Sequence, residues 1–141
     1  MKVVLDANVF ISAFMKTGSK PYDAMRKALN DFEVIVPQQF VNDIYSFAKQ
    51  AKKKKVKINP DDFLVTIAEL EKAGLIDVVE VKKMINISDH DADNHYISAA
   101  IESDAKILIT GDKDLTCERV VNECSKLGLK IVTPTEFLEM F

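Results

Sequence analysis

The chain lacks the features that mark membrane-spanning and secreted proteins. Its longest apolar runs are far too short to span a bilayer, and no basic and then apolar leader precedes Val3. Cys117 and Cys124 are the two cysteines. On one helix they would lie about two turns apart, too far for a disulfide, and no other ligands surround them for a zinc site. We therefore expect a cytoplasmic protein whose cysteines are small core residues in a reducing compartment.

Several common catalytic motifs are also missing. The sequence has no glycine-rich loop that would cradle a phosphate and no Ser–His–Asp or Cys–His set. His90 and His95 are expected at the surface. No internal repeat, low-complexity segment or interdomain linker is present, so the 141 residues fit one domain, 1–141.

What the sequence does contain is a regular alternation of short apolar runs with longer amphipathic stretches. Apolar runs without internal alternation are typical of strands buried on both faces. The expected strands are Val3–Leu5, Val34–Val36, Ile76–Val81 (an edge strand), Lys106–Thr110 and Leu129–Val132. Helices are expected at 8–15, from Pro21, at 38–53, from Asn59 to near Gly74, at 92–103, up to Gly128 and at 135–140. Such alternation predicts an α/β protein, a three-layer α/β/α sandwich around a mostly parallel five-stranded sheet.

Four acidic residues are expected at the carboxyl edge of this sheet. Asp6 and Asp112 each follow a buried strand, and ligands of open parallel sheets bind beside the carboxyl ends of the strands. Asp93 lies in the first turn of the helix that leads into the Lys106–Thr110 strand. Asp43 lies in the second turn of the helix after Val34–Val36. Both helices begin at the same edge, so four carboxylates from four segments converge there.

Such a group of acids requires protons or cations. Two carboxylates about 5 Å apart repel by roughly 3 kcal/mol at an effective dielectric constant of about 20. A site of oxygen ligands without histidine or cysteine suits Mg²⁺ or Mn²⁺ better than zinc. A divalent ion there would lower the pKa of a bound water and neutralise a phosphate under attack, which is the chemistry of phosphodiester hydrolysis.

Each acid also has a structural interpretation. Asp93 would favour the helix dipole, Asp43 would be a solvated flank of its helix, and Asp112 would be a turn residue. Asp6 is the hardest to explain in this way, because a charge at the tip of a buried strand needs a partner. Asp89, Asp91 and Asp114 are expected to be loop and cap residues, with Asp114 the reserve ligand.

Polar neighbours of these acids are candidate supporting groups. Asn8, Ser12 and Thr110 would bond the backbone or hold a metal-bound water. The net charge of −3 does not indicate a nucleic-acid binder, but lysines crowd residues 49–57. A lysine run is most often a solvated helix end; if the site cleaves nucleic acid, however, Lys52, Lys53, Lys54 and Lys55 are the natural contacts for backbone phosphates.

Four blocks of the sequence resemble the PIN-domain nucleases, and within them the VapC-like toxins of toxin–antitoxin pairs. The blocks occur in family order and span most of the chain. They are Val4–Ala13 (VLDANVFISA), Val36–Ile44 (VPQQFVNDI), Asp91–Ala100 (DADNHYISAA) and Leu108–Leu115 (LITGDKDL).

The resemblance implies a metal-dependent ribonuclease with Asp6, Asp43, Asp93 and Asp112 as ligands of Mg²⁺ or Mn²⁺. It also implies an RNA substrate, a homodimer and silencing by a small antitoxin protein. One position departs from the family pattern: Asp43 stands where glutamate is usual, and its side chain is one methylene shorter. Because Mg²⁺ has strict geometry, Asp43 would then act through a water or bind more weakly.

Two other functions remain open on the sequence. A haloacid-dehalogenase-like phosphatase also starts from an aspartate after its first strand, but it needs a second acid two residues later, where this chain has Asn8. A phospho-receiver fails in a similar way, because it needs paired acids there. A degenerate PIN-like module would bind RNA or a protein without cleavage, and the substitution at Asp43 keeps this alternative open.

Overall fold

A five-stranded sheet forms the centre of the molecule in the computed structural model, which describes residues 1–53 and 59–141. The strands stand in the order β3-β2-β1-β4-β5, and every neighbouring pair is parallel. The strands are β1 (Lys2–Leu5), β2 (Glu33–Pro37), β3 (Ile76–Val79), β4 (Ile107–Ile109) and β5 (Lys130–Val132). The expected α/β class and the parallel five-stranded sheet are confirmed.

Eight helices connect and follow these strands within the described residues. Because crossovers between parallel strands are right-handed, this strand order requires the helices between β1 and β3 on one face of the sheet and those between β3 and β5 on the other. The helices are α1 (Ala7–Met15), α2 (Lys20–Asp31), α3 (Gln38–Lys53), α4 (Pro60–Lys72), α5 (Asp91–Glu102), α6 (Lys113–Thr116), α7 (Glu118–Lys126) and α8 (Pro134–Met140). None of them is both long enough and apolar enough to cross a membrane.

Local sequence explains most helix boundaries. The side chains of Ser19, Asn59 and Thr133 cap the helices whose first turns contain proline. Gly74 and Gly128 follow α4 and α7 with φ values of +77° and +84°, a conformation that glycine adopts without strain. The expected starts and stops at these positions therefore agree with the structure.

The core is built on β1 and β4, whose apolar residues are fully buried. Val3, Val4 and Leu5 have no exposed surface, and Leu108 and Ile109 beside them have none either. Phenylalanines of α1, α3 and α4 fill the space above one face: the ring centroids of Phe10 and Phe40 are 5.7 Å apart, and those of Phe14 and Phe63 are 4.2 Å apart. Both central strands are therefore fixed by burial up to the point where the acidic residues begin.

Two expectations differ from the structure. The edge strand was expected to reach Val81 but ends at Val79, because its partner β2 ends at Pro37, which is paired with Val79. The two cysteines do not share one helix: Cys124 is buried in α7, whereas Cys117 is exposed at the break between α6 and α7. The expectation of two core cysteines is therefore wrong for Cys117.

Beyond the end of β3, side chains of α5 form hydrogen bonds with the backbone of the chain. The Glu102 carboxylate accepts hydrogen bonds from the backbone N–H groups of Lys82 and Lys83, at 2.6–3.1 Å. Ser98 Oγ accepts from Ile85 N at 2.8 Å. Asn94, one turn earlier, bonds three backbone groups of Ile87 and Ser88 at 2.8–3.0 Å. We call 80–88 the pinned segment, because residues spaced four apart on one helix hold its backbone.

Candidate active site at the carboxyl edge of the sheet

Asp6 and Asp112 flank the point where the strand order reverses. From β1 the chain continues toward β2, and from β4 it continues toward β5 on the opposite side, which opens a crevice between the two strand ends. Asp6 follows β1 directly, and its backbone N–H donates to Ile109 O at 3.0 Å. Asp112 lies two residues beyond Thr110, in the turn after β4. The sheet topology thus brings residues 106 positions apart to one crevice.

The Thr110 hydroxyl links these two acids. It donates to Asp6 Oδ2 at 2.6 Å and accepts from the backbone N–H of Asp112 at 3.0 Å. Thr110 has no exposed surface, so its hydroxyl needs these partners. Asp6 and Asp112 also accept from Asn8 N and Asp114 N, as the N-caps of α1 and α6. The Asp6 carboxylate is therefore held by hydrogen bonds from Thr110 and Asn8, whereas Asp112 is held by Thr110 through its backbone and by Asp114 N through its carboxylate.

Asp93 enters from α5, the helix that leads into β4. It is the third residue of that helix and only 7% exposed. Its Oδ2 accepts from Ser88 Oγ at 3.2 Å, so the pinned segment contributes a donor to the site. Asp93, Asp112 and Asp114 each offer an oxygen, and these three oxygens lie within 4.8 Å of one another. Asp114 thus joins the acids, although it is exposed and also pairs with His90 at 3.2 Å.

Asp43 enters from α3, and both of its oxygens have side-chain donors. Gln39 Nε2 donates to Oδ1 at 2.7 Å, and the Tyr96 hydroxyl donates to Oδ2 at 2.7 Å. Tyr96 belongs to α5 and is 1% exposed, so the second bond ties α3 to α5. The sequence placed Tyr96 in the core without assigning its hydroxyl a partner. A buried tyrosine usually needs one, and that rule was the available signal.

The four acids line one cavity of about 340 Å³, which we call the acid cavity. Asn8 lines it as well, with Ser46, Phe47 and Gln50 of α3. Ser12, one helical turn beyond Asn8, is exposed and does not line the cavity, so no contact in the described residues supports the role expected for it.

The expected phosphate contacts lie at the end of α3. Lys52 and Lys53 are exposed there, and Lys52 pairs with Asp61 at 3.5 Å. Lys54 and Lys55 lie outside the described residues.

Burial and mutual repulsion raise the pKa of two of these acids. Desolvation raises the pKa of Asp6 to about 6, and the charges of Asp112 and Asp43 add to it against the hydrogen bonds from Thr110 and Asn8. Desolvation and the charge of Asp112 raise the pKa of Asp93 to about 6. Desolvation also raises the pKa of Tyr96 far above its usual value, so its hydroxyl remains a donor. The all-oxygen donor set, with carboxylates that repel one another, fits a divalent cation of the Mg²⁺ or Mn²⁺ type.

Comparison with known proteins shows the family. The sequence profile of the PIN domain matches residues 2–114, which include all four acids of the cavity. The chain belongs to the PIN domain family. It is also 31% identical over 152 aligned positions to the uncharacterized protein MJ1680 of Methanocaldococcus jannaschii, with 100% of this chain and 92% of that protein covered. This membership disfavours the phosphatase alternative, which also lacks its second acid at Asn8.

Solved structures show the same PIN fold at low sequence identity. VapBC2 from Rickettsia felis, bound to a DNA fragment from its promoter, is similar with a TM-score of 0.62 and 13% identity, covering 94% of this chain and 98% of that one. FitAcB from Neisseria gonorrhoeae has a TM-score of 0.57 and 13% identity, with the same coverages. The fold of this PIN domain is therefore shared with these proteins.

Proposed function

We propose that this PIN domain, spanning residues 1–141, is a metal-dependent endoribonuclease that cleaves RNA phosphodiesters with an activated water. The observation that carries the proposal is the acid cavity, where four carboxylates from separate elements meet and two of them have a pKa raised to about 6. Such a group of buried acids is unfavourable for stability, and a divalent cation compensates for it.

The proposed roles follow from the contacts. Asp6, Asp93 and Asp112 would hold Mg²⁺ or Mn²⁺, with Asp114 beside them. Thr110 and Ser88 would orient the carboxylates of Asp6 and Asp93, with Asn8 at the rim. A bound divalent cation supplies a water of lowered pKa and neutralises the attacked phosphate.

Asp43 would take a different role from the other acids. Both of its oxygens already accept from side chains, those of Gln39 and Tyr96. Asp6, like Asp43, lies outside the group formed by Asp93, Asp112 and Asp114, but only one of its oxygens accepts from a side chain. We infer that Asp43 acts through a water rather than as a direct ligand. In that position it would accept a proton from the attacking water or orient it.

The RNA backbone would leave the acid cavity along α3. Gln50 lines the cavity, and Lys53 follows three residues later on the same side of the helix. Lys53 and the lysines after it would contact phosphates there, whereas Lys52 is directed to Asp61. Such contacts carry affinity and little base information.

We also propose that the protein is the toxin of a toxin–antitoxin pair, acting as a homodimer on RNA in the cytoplasm. The similarity of its fold to VapBC2 and FitAcB supports this, together with the VapC-like blocks of the sequence. The test is induced expression in a host cell. Growth should stop with the wild-type chain and continue with Asp6→Asn.

The catalytic proposal is tested directly on purified protein. Wild type should cleave single-stranded RNA with Mn²⁺ or Mg²⁺, and excess EDTA should abolish cleavage. Asp6→Asn should lose at least about 10²-fold in rate with the fold intact, because a neutral amide neither holds the cation nor balances its charge. Full activity of this variant, or full activity in EDTA, would contradict the mechanism.

A non-cleaving PIN module is the second candidate, favoured by one observation. Both oxygens of the shorter acid at Asp43 are already hydrogen-bonded, to Gln39 and Tyr96, which leaves them less available to a metal or a water. Thermal melting with Mn²⁺ separates the two candidates. Stabilisation by Mn²⁺ without cleavage of any RNA in a random-sequence pool would favour the module.

A further inference from the structure

A second and larger cleft lies beside the acid cavity, between the start of α3 and the pinned segment. Its volume is about 610 Å³, within the range of small-molecule sites, roughly 300–1,000 Å³. It forms where β2 ends at Pro37 and turns into α3 while the chain after β3 continues past it. We call it the amide cleft, lined chiefly by Gln38, Gln39, Asn42, Val81, Met84 and His95.

Three carboxamides within little more than one turn of α3 give this cleft its hydrogen-bonding groups. Gln38 Nε2 donates to Asn42 Oδ1 at 3.4 Å, a long bond between two exposed side chains. Among the described residues neither side chain has another hydrogen bond. Each therefore retains amide groups for a ligand, both donors and acceptors, which is the combination that complements the edge of a nucleobase.

The rest of the lining favours a flat, neutral ligand over an anion. Val79 and Val81 are half-buried and Met84 is 36% exposed, so an apolar surface is available for the face of a ring. Lys82 and Glu80 both line the cleft and balance each other in charge. A phosphate would find no excess of cations here, whereas a base would find apolar contacts together with amides.

Hydrogen bonds to side chains of α5 preorganise the wall of the cleft and use the backbone donors of Lys82, Lys83 and Ile85. Glu102 accepts from Lys82 N and Lys83 N, and Ser98 accepts from Ile85 N. A peptide adding to this segment as a strand would need those N–H groups. Because they are occupied, the cleft favours a ligand recognised by side chains.

Gln39 connects the amide cleft to the acid cavity. Its side chain lines the cleft, and its Nε2 donates to Asp43 Oδ1 at 2.7 Å, while Asp43 lines the cavity. His95 lines the cleft and Tyr96, the next residue, lines the cavity. A single strand of RNA passing through the cavity would therefore present a neighbouring nucleotide to the cleft.

We propose that the amide cleft binds the base of the nucleotide adjacent to the scissile phosphate and confers base preference on cleavage through Gln38 and Asn42. The inference rests on the proposed ribonuclease function and names its recognition element. Single-stranded RNA presents unstacked bases whose edges are read by side chains in this way.

The first test compares cleavage sites in a random-sequence single-stranded RNA pool, read by sequencing the cut ends. Wild type should prefer one or two bases at a position next to the cut. Asn42→Ala and Gln38→Ala should each reduce that preference by about tenfold while cutting continues. The matched control is Asn122→Ala, an exposed asparagine of α7 that lines neither cavity, and it should retain the preference. An unchanged preference in both cleft variants, or no preference in wild type, would overturn the inference.

The second test separates this inference from the ribonuclease proposal. Short RNA oligonucleotides are titrated into the wild-type protein in EDTA, and the side-chain amide NMR signals of Gln38, Asn42 and Asn122 are followed. Shifts confined to Gln38 and Asn42 would support the base site even if no RNA is ever cleaved. An RNA that the protein cleaves with Mn²⁺, but that shifts neither the Gln38 nor the Asn42 signal in EDTA, would overturn the base site and leave the ribonuclease proposal standing. A shift of these signals by an unstructured peptide and not by RNA would assign the cleft to a protein partner instead.

Discussion

Asp43 and Asp93 are both aspartates of the acid cavity, but their surroundings differ, and the proposed roles differ with them. Asp93 has a raised pKa and an oxygen within 4.8 Å of those of Asp112 and Asp114. Asp43 has two side-chain donors at 2.7 Å. The resemblance to PIN-domain nucleases predicts glutamate at this position, and aspartate is one methylene shorter. In this chain the hydroxyl of Tyr96, on α5, donates a hydrogen bond to the shorter side chain.

A matched pair of substitutions tests this division. Asp93→Asn should abolish most of the rise in melting temperature that Mn²⁺ produces, because a ligand is lost. Asp43→Asn should keep most of that rise but lose at least about tenfold in cleavage rate, because Asp43 is proposed to act on the attacking water and not as a ligand of the cation. The measurement is thermal unfolding with and without Mn²⁺, beside RNA cleavage. Equal loss of Mn²⁺ stabilisation in both variants would make Asp43 a direct ligand.

The residues that bear charge were predictable from the sequence, and their partners were not. Asp6 and Asp112 follow buried strands, so topology alone sends them to one edge. The contact of Tyr96 with Asp43 depends on how α3 packs against α5, which no local pattern encodes. Gln39 and Asp43 are four residues apart on α3, and this spacing was the available local signal for their hydrogen bond. Ser12, one helical turn beyond Asn8, does not line the cavity, and its supporting role remains a prediction.

At the scale of elements, helix α5 performs two tasks on different parts of its surface. Its apolar residues, such as Ile97 and Ala100, are fully buried in the core. Its polar residues Asn94, Ser98 and Glu102, spaced four apart, hold the pinned segment. The pinned segment in turn walls the amide cleft and supplies Ser88 to Asp93.

Removing the first of these anchors should release the segment. Asn94→Ala deletes three hydrogen bonds to Ile87 and Ser88, and should destabilise the protein by about 3 kcal/mol. Hydrogen exchange at the amides of Ile87 and Ser88 should accelerate, and Mn²⁺ stabilisation should weaken because Ser88 no longer orients Asp93. Asn122→Ala serves as the control and should change stability by less than about 0.5 kcal/mol. Unchanged exchange at Ile87 in Asn94→Ala would show that the segment is held by other contacts.

Elements were predicted correctly wherever the sequence carries a local signal. Caps, prolines and the glycines after α4 and α7 set helix ends, and buried apolar runs set the central strands. The end of β3 was missed because a strand ends where its partner does, and Pro37 is 42 residues earlier in the chain. The hydrogen bonds of Asn94 and Ser98 to the pinned segment were not predicted. The local sequence around a buried polar residue does not show which backbone groups it binds.

At the scale of the whole molecule, the acid cavity lowers stability in the absence of metal. Asp6 has a pKa of about 6 in the folded protein and an ordinary value of 3.8, so the folded state binds its proton more tightly. Its contribution therefore favours folding below about pH 4 and is lost as the pH rises to about 6. Asp93 shifts in the same direction.

This linkage predicts a pH-dependent effect of Asp6→Asn on the metal-free protein. At pH 7 the variant should be more stable than wild type by about 2–3 kcal/mol, because the buried charge is gone and each unit of pKa shift corresponds to about 1.4 kcal/mol. Near pH 4 the difference should disappear. The measurement is chemical unfolding in EDTA across this range, and addition of Mn²⁺ at pH 7 should reverse the order of the two proteins. A stability difference that does not change with pH would show that Asp6 is not the titrating group.

The order of the strands has a consequence for how the protein is made. Asp6 is among the first residues synthesised, but β4, which lies against β1 and carries Thr110 and Asp112 at its end, follows about a hundred residues later. A nascent or prematurely terminated chain that ends before β4 leaves β1 as an edge strand and lacks both Thr110 and Asp112. On the proposed function, the message being translated would therefore meet no complete acid cavity until synthesis of the chain is nearly finished.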